Sequence, residues 1–403
     1  MIQPFKNLFY KTRNHFFTIQ YNNRQRYLQR QFQKIAENKT RESKIINKIG
    51  FYFYGENHLA HLYPIIQHLP KDTVELVTPE IGCHPDYLTK TGIKIRSSMD
   101  VLASAKKYRC LVSLYMMPPN WCKNDSKRTI HKNQQVETAY FTRLAENNVR
   151  MVYSLGALPW NTSEVMRDYD SLFVYGPFEE KLYRKEFGNT MEVHQVGYPK
   201  FDSFYNNRLP KLDCEELLND QRKTILWLPS KGKLSSIDRY LEMMSRLCDN
   251  YNVILKPHPQ EDEERLRLAE KTPIIVETSP DSAPFYKLAD FVFCDYGGSS
   301  FGALYTDKPI IFLSPLNPEQ DKKNYSHNSP EVELRKHFVT IEEPSTDELN
   351  EKLNDQVIWK SERAIREKIR KRYFNDNYGN AGKTAAQLLL RYLKESIKSV
   401  NRR

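Results

Sequence analysis

Short apolar runs that alternate with segments of helical length are the feature that most constrains the fold of this 403-residue chain. Apolar runs of about four to eight residues are typical of buried strands, and an intervening helix lets successive strands pair in parallel. Ten such runs are present, at 50–55, 73–79, 110–116, 149–156, 170–176, 224–229, 252–257, 273–278, 290–295 and 309–315. The pattern predicts an α/β protein with two successive doubly wound, Rossmann-like domains.

A polar stretch separates the two sets of predicted strands. Residues 206–222 carry no strand signal, and we place an inter-domain linker there. The predicted organisation is a basic helical lead at 1–49, an N-terminal domain at 50–205, the linker at 206–222, a C-terminal domain at 223–375 and a basic C-terminal helix at 376–403. Such folds bind ligands at the carboxyl ends of their strands, so we expect the functional site there.

Basic residues are concentrated at the two ends of the chain. Residues 11–49 hold ten Lys and Arg against two acids, and residues 360–403 hold thirteen against four, so the remainder of a chain with net charge +11 is mildly acidic. Residues 16–47 are predicted to be helical. Basic ends of this kind either contact an anionic membrane surface or a polyanion, or are simply solvated helices. The acidic body and the lack of a recognised binding module argue against a nucleic-acid partner.

The sequence shows no signal for secretion or for a membrane span. It contains no apolar run of about eighteen residues, and its first residues lack the apolar stretch of a signal peptide. The six cysteines are scattered and include no CxxC pair, which argues for reduced thiols and against a zinc site. We therefore expect a cytoplasmic protein.

Two strand ends in the second half carry cations and a histidine. The run at 224–229 is followed by Ser230, Lys231 and Gly232. The run at 252–257 contains Lys256 and is followed by His258 and Pro259. The prolines on both sides of His258 restrict the backbone, so the imidazole stands on a stiff loop. A histidine has a pKa near neutrality and can protonate a phosphate or accept a proton from a hydroxyl. We predict that His258 is catalytic, with an ordinary loop histidine as the alternative.

A third strand end has the sequence CDYGGSSFGA at 294–303. Its glycines allow backbone N–H groups to approach a phosphate, and the following helix adds its positive N-terminal end. It is neither a P-loop nor a G-x-G-x-x-G motif. We predict that this turn binds a phosphate through Asp295, Tyr296, Gly297, Gly298, Ser299 and Ser300. An ordinary turn between a strand and a helix is the alternative.

These blocks together resemble the CDP-glycerol glycerophosphotransferases of teichoic acid and capsule synthesis. The resemblance runs from about 50 to 395 and rests on YDSLFVYGPFEEKLYRKEFGN, VHQVGYPKFDSF, TILWLPSKG, VILKPHP, LADFVFCDYGGSSFGALYTDKPIIFL and YFNDNYGNAGKTAAQLL. It implies a GT-B architecture, in which two Rossmann-like domains face each other across a cleft. It also implies that the second domain binds the CDP group, with His258 near the donor phosphates and residues 295–300 as the phosphate-binding turn.

The sequence departs from the family pattern at two places. Leu155 precedes Gly156 where the family commonly has a His-Gly pair whose histidine is a candidate base. Gly297 and Gly298 stand in place of two serines, and Gly302 in place of an aspartate, which suggests a different donor or a different phosphate geometry.

The base is therefore predicted to come from the first helix of the N-terminal domain. His58 and His61 share a helical face there, with core or surface histidines as the equally weighted alternative. We predict that His58 is catalytic. The predicted acceptor side comprises Glu56, Asn57, His61, Gly156 and Trp160.

The resemblance predicts an enzyme that transfers a phosphoalcohol such as glycerol phosphate from a CDP-linked donor to a hydroxyl of a polymer or lipid-linked acceptor, with release of CMP. No cofactor and no metal are predicted, although Asp295 could turn outward to hold a metal. The alternatives are a GT-B glycosyltransferase or UDP-sugar epimerase, and a non-catalytic protein that binds a membrane or a polyanion. The predicted location is cytoplasmic, on the inner face of the plasma membrane if the basic ends bind lipid.

Overall fold

The computed structural model describes residues 30–31, 33–35, 37, 42–53, 56–79, 91–114, 144–156, 158–188, 190–314 and 329–400. The chain forms two compact units. One consists of residues 1–54, 70–148 and 392–403, and the other of residues 55–69 and 149–391. Most of the predicted basic lead at 1–49 lies outside the described residues.

Strands and helices alternate along the described chain. The strands are β1 Lys44–Tyr52, β2 Val74–Thr78, β3 Ile95–Ser97, β4 Lys106–Ser113, β5 Ala145–Met151, β6 Ser171–Val174, β7 Glu192–Gln195, β8 Thr224–Leu228, β9 Asn252–Leu255, β10 Ile275–Val276, β11 Phe291–Cys294, β12 Ile310–Leu313 and β13 Val339–Ile341. The helices are α1 Glu56–Ile66, α2 Ser98–Ala103, α3 Leu158–Asn161, α4 Pro177–Phe187, α5 Asp202–Tyr205, α6 Ile237–Leu247, α7 Glu263–Ala269, α8 Ala283–Leu288, α9 Gly298–Tyr305, α10 Pro330–Arg335, α11 Thr346–Asn354, α12 Gln356–Tyr373 and α13 Ala381–Val400.

The first unit is built on parallel strands in the order β3-β2-β1-β4. Residues 42–43 are not helical and strand β1 begins at Lys44, so the prediction of a helix over 16–47 is wrong for its last six residues. Ile45 and Ile46 instead pair with Lys107 and Tyr108 of β4, and a register shift separates Ile46 from Ile49. Parallel pairing with β4 thus overrides the local helical pattern.

The second unit contains β6 and β7, with residues 149–151 of β5 paired in parallel to β6, and a six-stranded parallel sheet in the order β10-β9-β8-β11-β12-β13. Every residue of β8, β9, β11 and β12 is buried. Burial of both faces is expected of a parallel sheet that helices cover on each side. The hydroxyl of Tyr240 in α6 donates to the Ile341 carbonyl of β13 at 2.8 Å. This hydrogen bond connects α6 to β13, the strand at one edge of the sheet.

The ten predicted strands are confirmed, but β3, β7 and β13 were not among them. The predicted linker at 206–222 contains a single 3₁₀ turn, Asp213–Leu217, and no strand. The predicted domain boundaries themselves stay a prediction. No helix in the described ranges is long and apolar enough to cross a bilayer.

Candidate active site

A cavity of about 640 Å³ lies within the second unit. One wall is formed by the loops that follow β8, β9 and β11, the three adjacent strands whose ends the sequence singled out. The opposite wall is formed by α1 and by the loops that follow β5 and β7. Because the strands are parallel, their carboxyl ends meet at one edge of the sheet, and this edge carries the loops of the first wall.

The loop after β8 is held in place by Asp295. This carboxylate is fully buried, and its Oδ2 accepts hydrogen bonds from the backbone N–H groups of Ser230 at 2.9 Å and Ser236 at 2.7 Å. Burial raises the pKa of Asp295 to about 7, against the effect of these hydrogen bonds. Asp295 does not line the cavity and does not turn outward. Lys231 and Gly232 do line it, next to Ser230.

The glycine-rich turn after β11 lies directly against the cavity. Gly297 has φ 103° and is the N-cap of α9, and Gly298 and Ser299 follow it in the wall, with Tyr296 just before it. A Cβ at Gly298 would lie 3.2 Å from the Ser154 hydroxyl. The turn therefore brings backbone N–H groups to the cavity at the positive end of a helix, which is an anion-binding arrangement.

Ser300 and Gly302, which follow the turn in α9, contact the protein interior and not the cavity. Ser300 is buried, and its hydroxyl donates to the Gly297 carbonyl at 3.0 Å, so it does not line the cavity. A Cβ at Gly302 would lie 2.5 Å from the hydroxyl oxygen of Tyr286. The Tyr286 hydroxyl donates to the Ser299 carbonyl at 2.8 Å. Its ring thus occupies the space that a larger residue at 302 would need.

His258 lies half-buried on the loop after β9, with Pro259 beside it in the wall. Its Nδ1 accepts a hydrogen bond from the backbone N–H of Gln260 at 3.1 Å. In the neutral ring the proton is consequently on Nε2, which is left to donate to a ligand. Burial, and next the charge of Lys231, lower the pKa of His258 to about 4. The negative charge of a bound phosphate would raise the pKa of this ring again.

The cavity is lined by cations without carboxylates. Among the described residues in its wall are the four lysines Lys200, Lys231, Lys233 and Lys256, and no Asp or Glu. Burial, and next the charge of Lys200, lower the pKa of Lys256 to about 8. An apolar-walled cleft with one sign of charge concentrates ligands of the opposite sign. Its chemistry therefore suits a polyanionic ligand such as a nucleoside diphosphate.

The predicted acceptor side is only partly brought to the cavity. Asn57 and His61 of α1 line it, whereas His58 is 1% exposed and does not. The His61 ring packs against Tyr153 with centroids 4.9 Å apart. Burial, and next the charge of Lys200, lower the pKa of His61 well below its ordinary value.

Gly156, also predicted for the acceptor side, does not line the cavity. Leu155 and Gly156 are buried, and a Cβ at Gly156 would overlap the carboxyl group of Glu331. The side chains of Glu56 and Trp160 lie outside the described residues. In the part of the chain that the structure describes, no group of three His, Cys, Asp or Glu is placed to hold a metal ion.

Several residues in the wall were not predicted from the sequence: Tyr153, Ser154, Tyr198, Lys200, Ser282 and Tyr286. Tyr198 and Lys200 belong to the GYPK sequence that follows β7, a strand that the apolar pattern does not reveal. Recognition of β7 would have identified GYPK as a fourth polar strand end and therefore as a candidate part of the site.

Solved structures with the same fold cover nearly the whole chain. The wall teichoic acid polymerase TagF is 14% identical, over 95% of this chain and 98% of that chain, with a TM-score of 0.64. MnaA of S. aureus, in a structure with UDP, is 14% identical over 87% and 97% of the two chains, with a TM-score of 0.58. A UDP-GlcNAc 2-epimerase from Neisseria meningitidis is 14% identical over 86% and 100%, with a TM-score of 0.53. These matches confirm the predicted GT-B-like fold with two Rossmann-like parallel sheets.

Family membership rests on a sequence comparison. No curated protein sequence matches this chain significantly. The sequence profile of the family described as CDP-Glycerol:Poly(glycerophosphate) glycerophosphotransferase matches residues 86–389, three quarters of the chain. This range includes every loop on the β8, β9 and β11 side of the cavity. The chain therefore belongs to the CDP-glycerol:poly(glycerophosphate) glycerophosphotransferase family and is an enzyme of the CDP-glycerol transferase type.

Proposed function

We propose that the enzyme transfers glycerol phosphate from CDP-glycerol to a hydroxyl group of a cell-surface polymer or lipid-linked acceptor, and releases CMP. The observation that carries this proposal is the cavity wall, where four lysines, His258 and a glycine-rich turn meet without a carboxylate. A diphosphate donor matches that charge, and membership of the family supplies the class of donor. The structure of a TagF variant soaked with CDPG supports the same choice of donor.

In the proposed reaction the acceptor oxygen attacks the β-phosphorus of CDP-glycerol. The bond between the β-phosphorus and the bridging oxygen breaks, and CMP leaves with that oxygen and its electron pair. Negative charge grows on the phosphates as this happens, so cations and N–H donors fixed around them lower the barrier. Lys231, the Nε2–H of His258 and the backbone N–H groups at 297–299 are the proposed donors.

The proton of the acceptor hydroxyl needs a base on the opposite wall. We propose His61 for this role in place of His58, because His61 lines the cavity and His58 does not. Its lowered pKa leaves the ring neutral at physiological pH. The negative charge of bound phosphates would raise this pKa towards the range in which a histidine is an effective base. We propose that no metal or cofactor takes part, so that EDTA leaves the rate unchanged.

The test is to incubate the purified protein with CDP-glycerol and a glycerol phosphate oligomer, and to measure CMP and product masses. We expect one CMP for each glycerol phosphate unit added, and no turnover of UDP-sugars. Substitution His258→Ala should lower the rate at least about a hundredfold, while Lys287→Gln, at an exposed lysine outside the cavity wall, should not. Epimerisation or transfer of UDP-sugars, or full polymer synthesis with folded His258→Ala protein, would contradict the proposal.

We further propose that the enzyme works at the cytoplasmic face of the plasma membrane, held by its basic surface. Lys360, Lys368 and Lys371 are exposed on one face of α12, together with Val357, which is 77% exposed. Each lysine near anionic lipid contributes about 1 kcal/mol. Replacement of Lys360 and Lys368 by Gln should lower binding to anionic vesicles at least about tenfold, whereas the same change at Lys181 and Lys185 of α4 should not. Equal binding by both double variants would refute this surface.

A further inference from the structure

Lys200 and Lys256 are a second pair of cations in the cavity wall. Lys200, after β7, donates from Nζ to the Ser282 hydroxyl at 2.9 Å. Lys256, at the end of β9, donates from Nζ to the Ser279 carbonyl. Both lysines line the cavity, and among the described residues neither forms an ion pair with a carboxylate. The hydrogen bonds of both ammonium groups thus go to neutral oxygens, and Lys256 Nζ also lies 5.1 Å from the centroid of the Phe285 ring.

The charges of Lys231 and Lys200 shift the pKa values of different neighbours. The charge of Lys231 lowers the pKa of His258, and Lys200 does not contribute to that shift. The charge of Lys200 instead lowers the pKa values of Lys256 and His61. The hydrogen bonds divide in the same way: Lys231 donates from Nζ to the Gln260 side chain at 2.8 Å, on the loop that carries His258, whereas Lys200 and Lys256 donate to Ser282 and Ser279. We therefore distinguish a cationic region at Lys231 and His258, on the proposed donor side, from one at Lys200 and Lys256.

The second region has the properties of an anion site. Lys256 is only 7% exposed. Burial lowers the pKa of both lysines, and the charge of Lys200 lowers the pKa of Lys256 further. Asp281 is the carboxylate whose charge opposes this effect on both lysines, yet its Oδ1 accepts a hydrogen bond from the Ala283 N–H. A phosphate between the two lysines would offset the repulsion directly.

The aromatic residues beside Lys200 strengthen such an interaction. Tyr198, Phe201 and Tyr286 line the cavity, and the Phe201 ring contacts both tyrosine rings edge-on, with centroids 4.8 and 5.3 Å away. Rings packed in this way exclude water, and charge–charge attraction is greater where water is excluded. A lysine ammonium is a compact charge that binds phosphate without demanding a fixed geometry.

We propose that Lys200, with Lys256 and Ser282, forms a second anion subsite that binds the phosphate of the terminal unit of the acceptor. This inference rests on the proposed function, in which Lys231, His258 and the turn at 297–299 hold the donor diphosphate. It makes Lys200 a specificity-determining residue: the enzyme selects acceptors that carry a phosphate close to the attacking hydroxyl. An acceptor that ends in an uncharged sugar or glycerol gains nothing from the subsite.

The first test compares two acceptors in turnover. The acceptors are an oligomer that ends in glycerol phosphate and a matched glycerol-terminated acceptor without phosphate, and the variants are Lys200→Gln, Lys200→Arg and the control Lys287→Gln. For Lys200→Gln we expect kcat/KM with the phosphate acceptor to fall at least about tenfold through KM. The ratio of kcat/KM for the phosphate acceptor to kcat/KM for the uncharged acceptor should fall by the same factor. Lys200→Arg should retain most of the selectivity, and Lys287→Gln all of it.

An equal loss with both acceptors, or a raised KM for CDP-glycerol, would overturn the proposal and place Lys200 on the donor side or in the folding of the unit. No loss at all would overturn it as well. These results leave the proposed function intact, because they require a wild-type enzyme that turns over CDP-glycerol.

A second test does not depend on turnover. Calorimetric titration of the CMP-saturated protein with glycerol 3-phosphate, and with glycerol as the uncharged control, measures the subsite itself. We expect binding of glycerol 3-phosphate that Lys200→Gln weakens at least about tenfold, and no binding of glycerol. Equal affinity in wild type and Lys200→Gln would refute the subsite even if the proposed reaction were absent.

Discussion

The carboxylate of Asp295 is fully buried between two segments that shape the cavity, although it does not line the cavity. Its Oδ2 fixes the backbone N–H groups of Ser230 and Ser236, and the Ser230 hydroxyl exchanges hydrogen bonds with the backbone of Tyr296. Asp295 therefore positions the loop after β8. The hydrogen bonds between Ser230 and the backbone of Tyr296 hold the start of the glycine-rich turn against that loop. Sequence reasoning placed Asp295 among the donor-binding residues, and the structure suggests that it acts by positioning them.

Removal of this carboxylate should loosen both loops. Asp295→Ala leaves two buried N–H groups without an acceptor, which costs about 2 kcal/mol or more of unfolding free energy. Asp295→Asn retains one oxygen acceptor and should lose less. Urea denaturation measures the stability, and CMP release measures the activity, which we expect to fall further in the Ala variant than in the Asn variant. Wild-type stability in Asp295→Ala would contradict this account.

His58 contributes to the pH dependence of stability instead of to the cavity wall. Burial lowers its pKa from 6.5 to about 4 in the folded protein. Between these values the unfolded chain binds a proton that the folded protein does not, so stability falls as the pH falls. The contribution lost between pH 7 and 5 is about 2 kcal/mol. In His58→Gln the drop in unfolding free energy over this range should be smaller by that amount.

Urea unfolding at pH 7 and pH 5 measures this difference. His337→Gln serves as the control, because this histidine is exposed. It should show the same pH dependence as the wild type. The assignment is refuted if His58→Gln and the wild type lose the same stability on acidification.

The turn between β11 and α9 is the element on which phosphate binding depends. Gly297 has φ 103° and Gly188, at the end of α4, has φ 64°, and neither has an atom within 4 Å of an added Cβ. Substitution by Ala at either position should cost about 1 kcal/mol through the backbone alone. Only Gly297→Ala should also reduce CMP release, because only Gly297 belongs to the cavity wall. Equal activity of the two variants would show that the turn does not hold the donor.

Which elements the sequence predicts depends on where each strand lies. The central strands β8, β9, β11 and β12 are buried along their whole length and are therefore continuous apolar runs. The undetected strands β3, β7 and β13 have three or four residues, contain polar residues and lie at the edges of their ladders. An edge strand is covered on fewer sides, so its residues can show a weaker apolar signal. The edge strand β10 was nevertheless predicted, because its segment is a short apolar run.

For the molecule as a whole, one side of the cavity could be predicted from the sequence and the other could not. Residues of the donor side follow recognised strands, so Lys231, His258 and the turn at 297–299 were found by position alone. Lys200 and Tyr198 follow the undetected β7, and Ser282 lies in a loop with no distinctive pattern. Whether His58 or His61 of α1 reaches the cavity depends on the rotation of the helix, which a periodic pattern does not determine within one turn.

The central claim is that this cavity carries out glycerol phosphate transfer from CDP-glycerol. The most direct measurement is the ratio of CMP released to glycerol phosphate units added to a polymer acceptor, determined by mass spectrometry with wild type and His258→Ala. We predict a ratio of one for the wild type and loss of both products together in the variant. CMP release without any change in the mass of the acceptor, or acceptor growth that does not depend on His258, would contradict the claim.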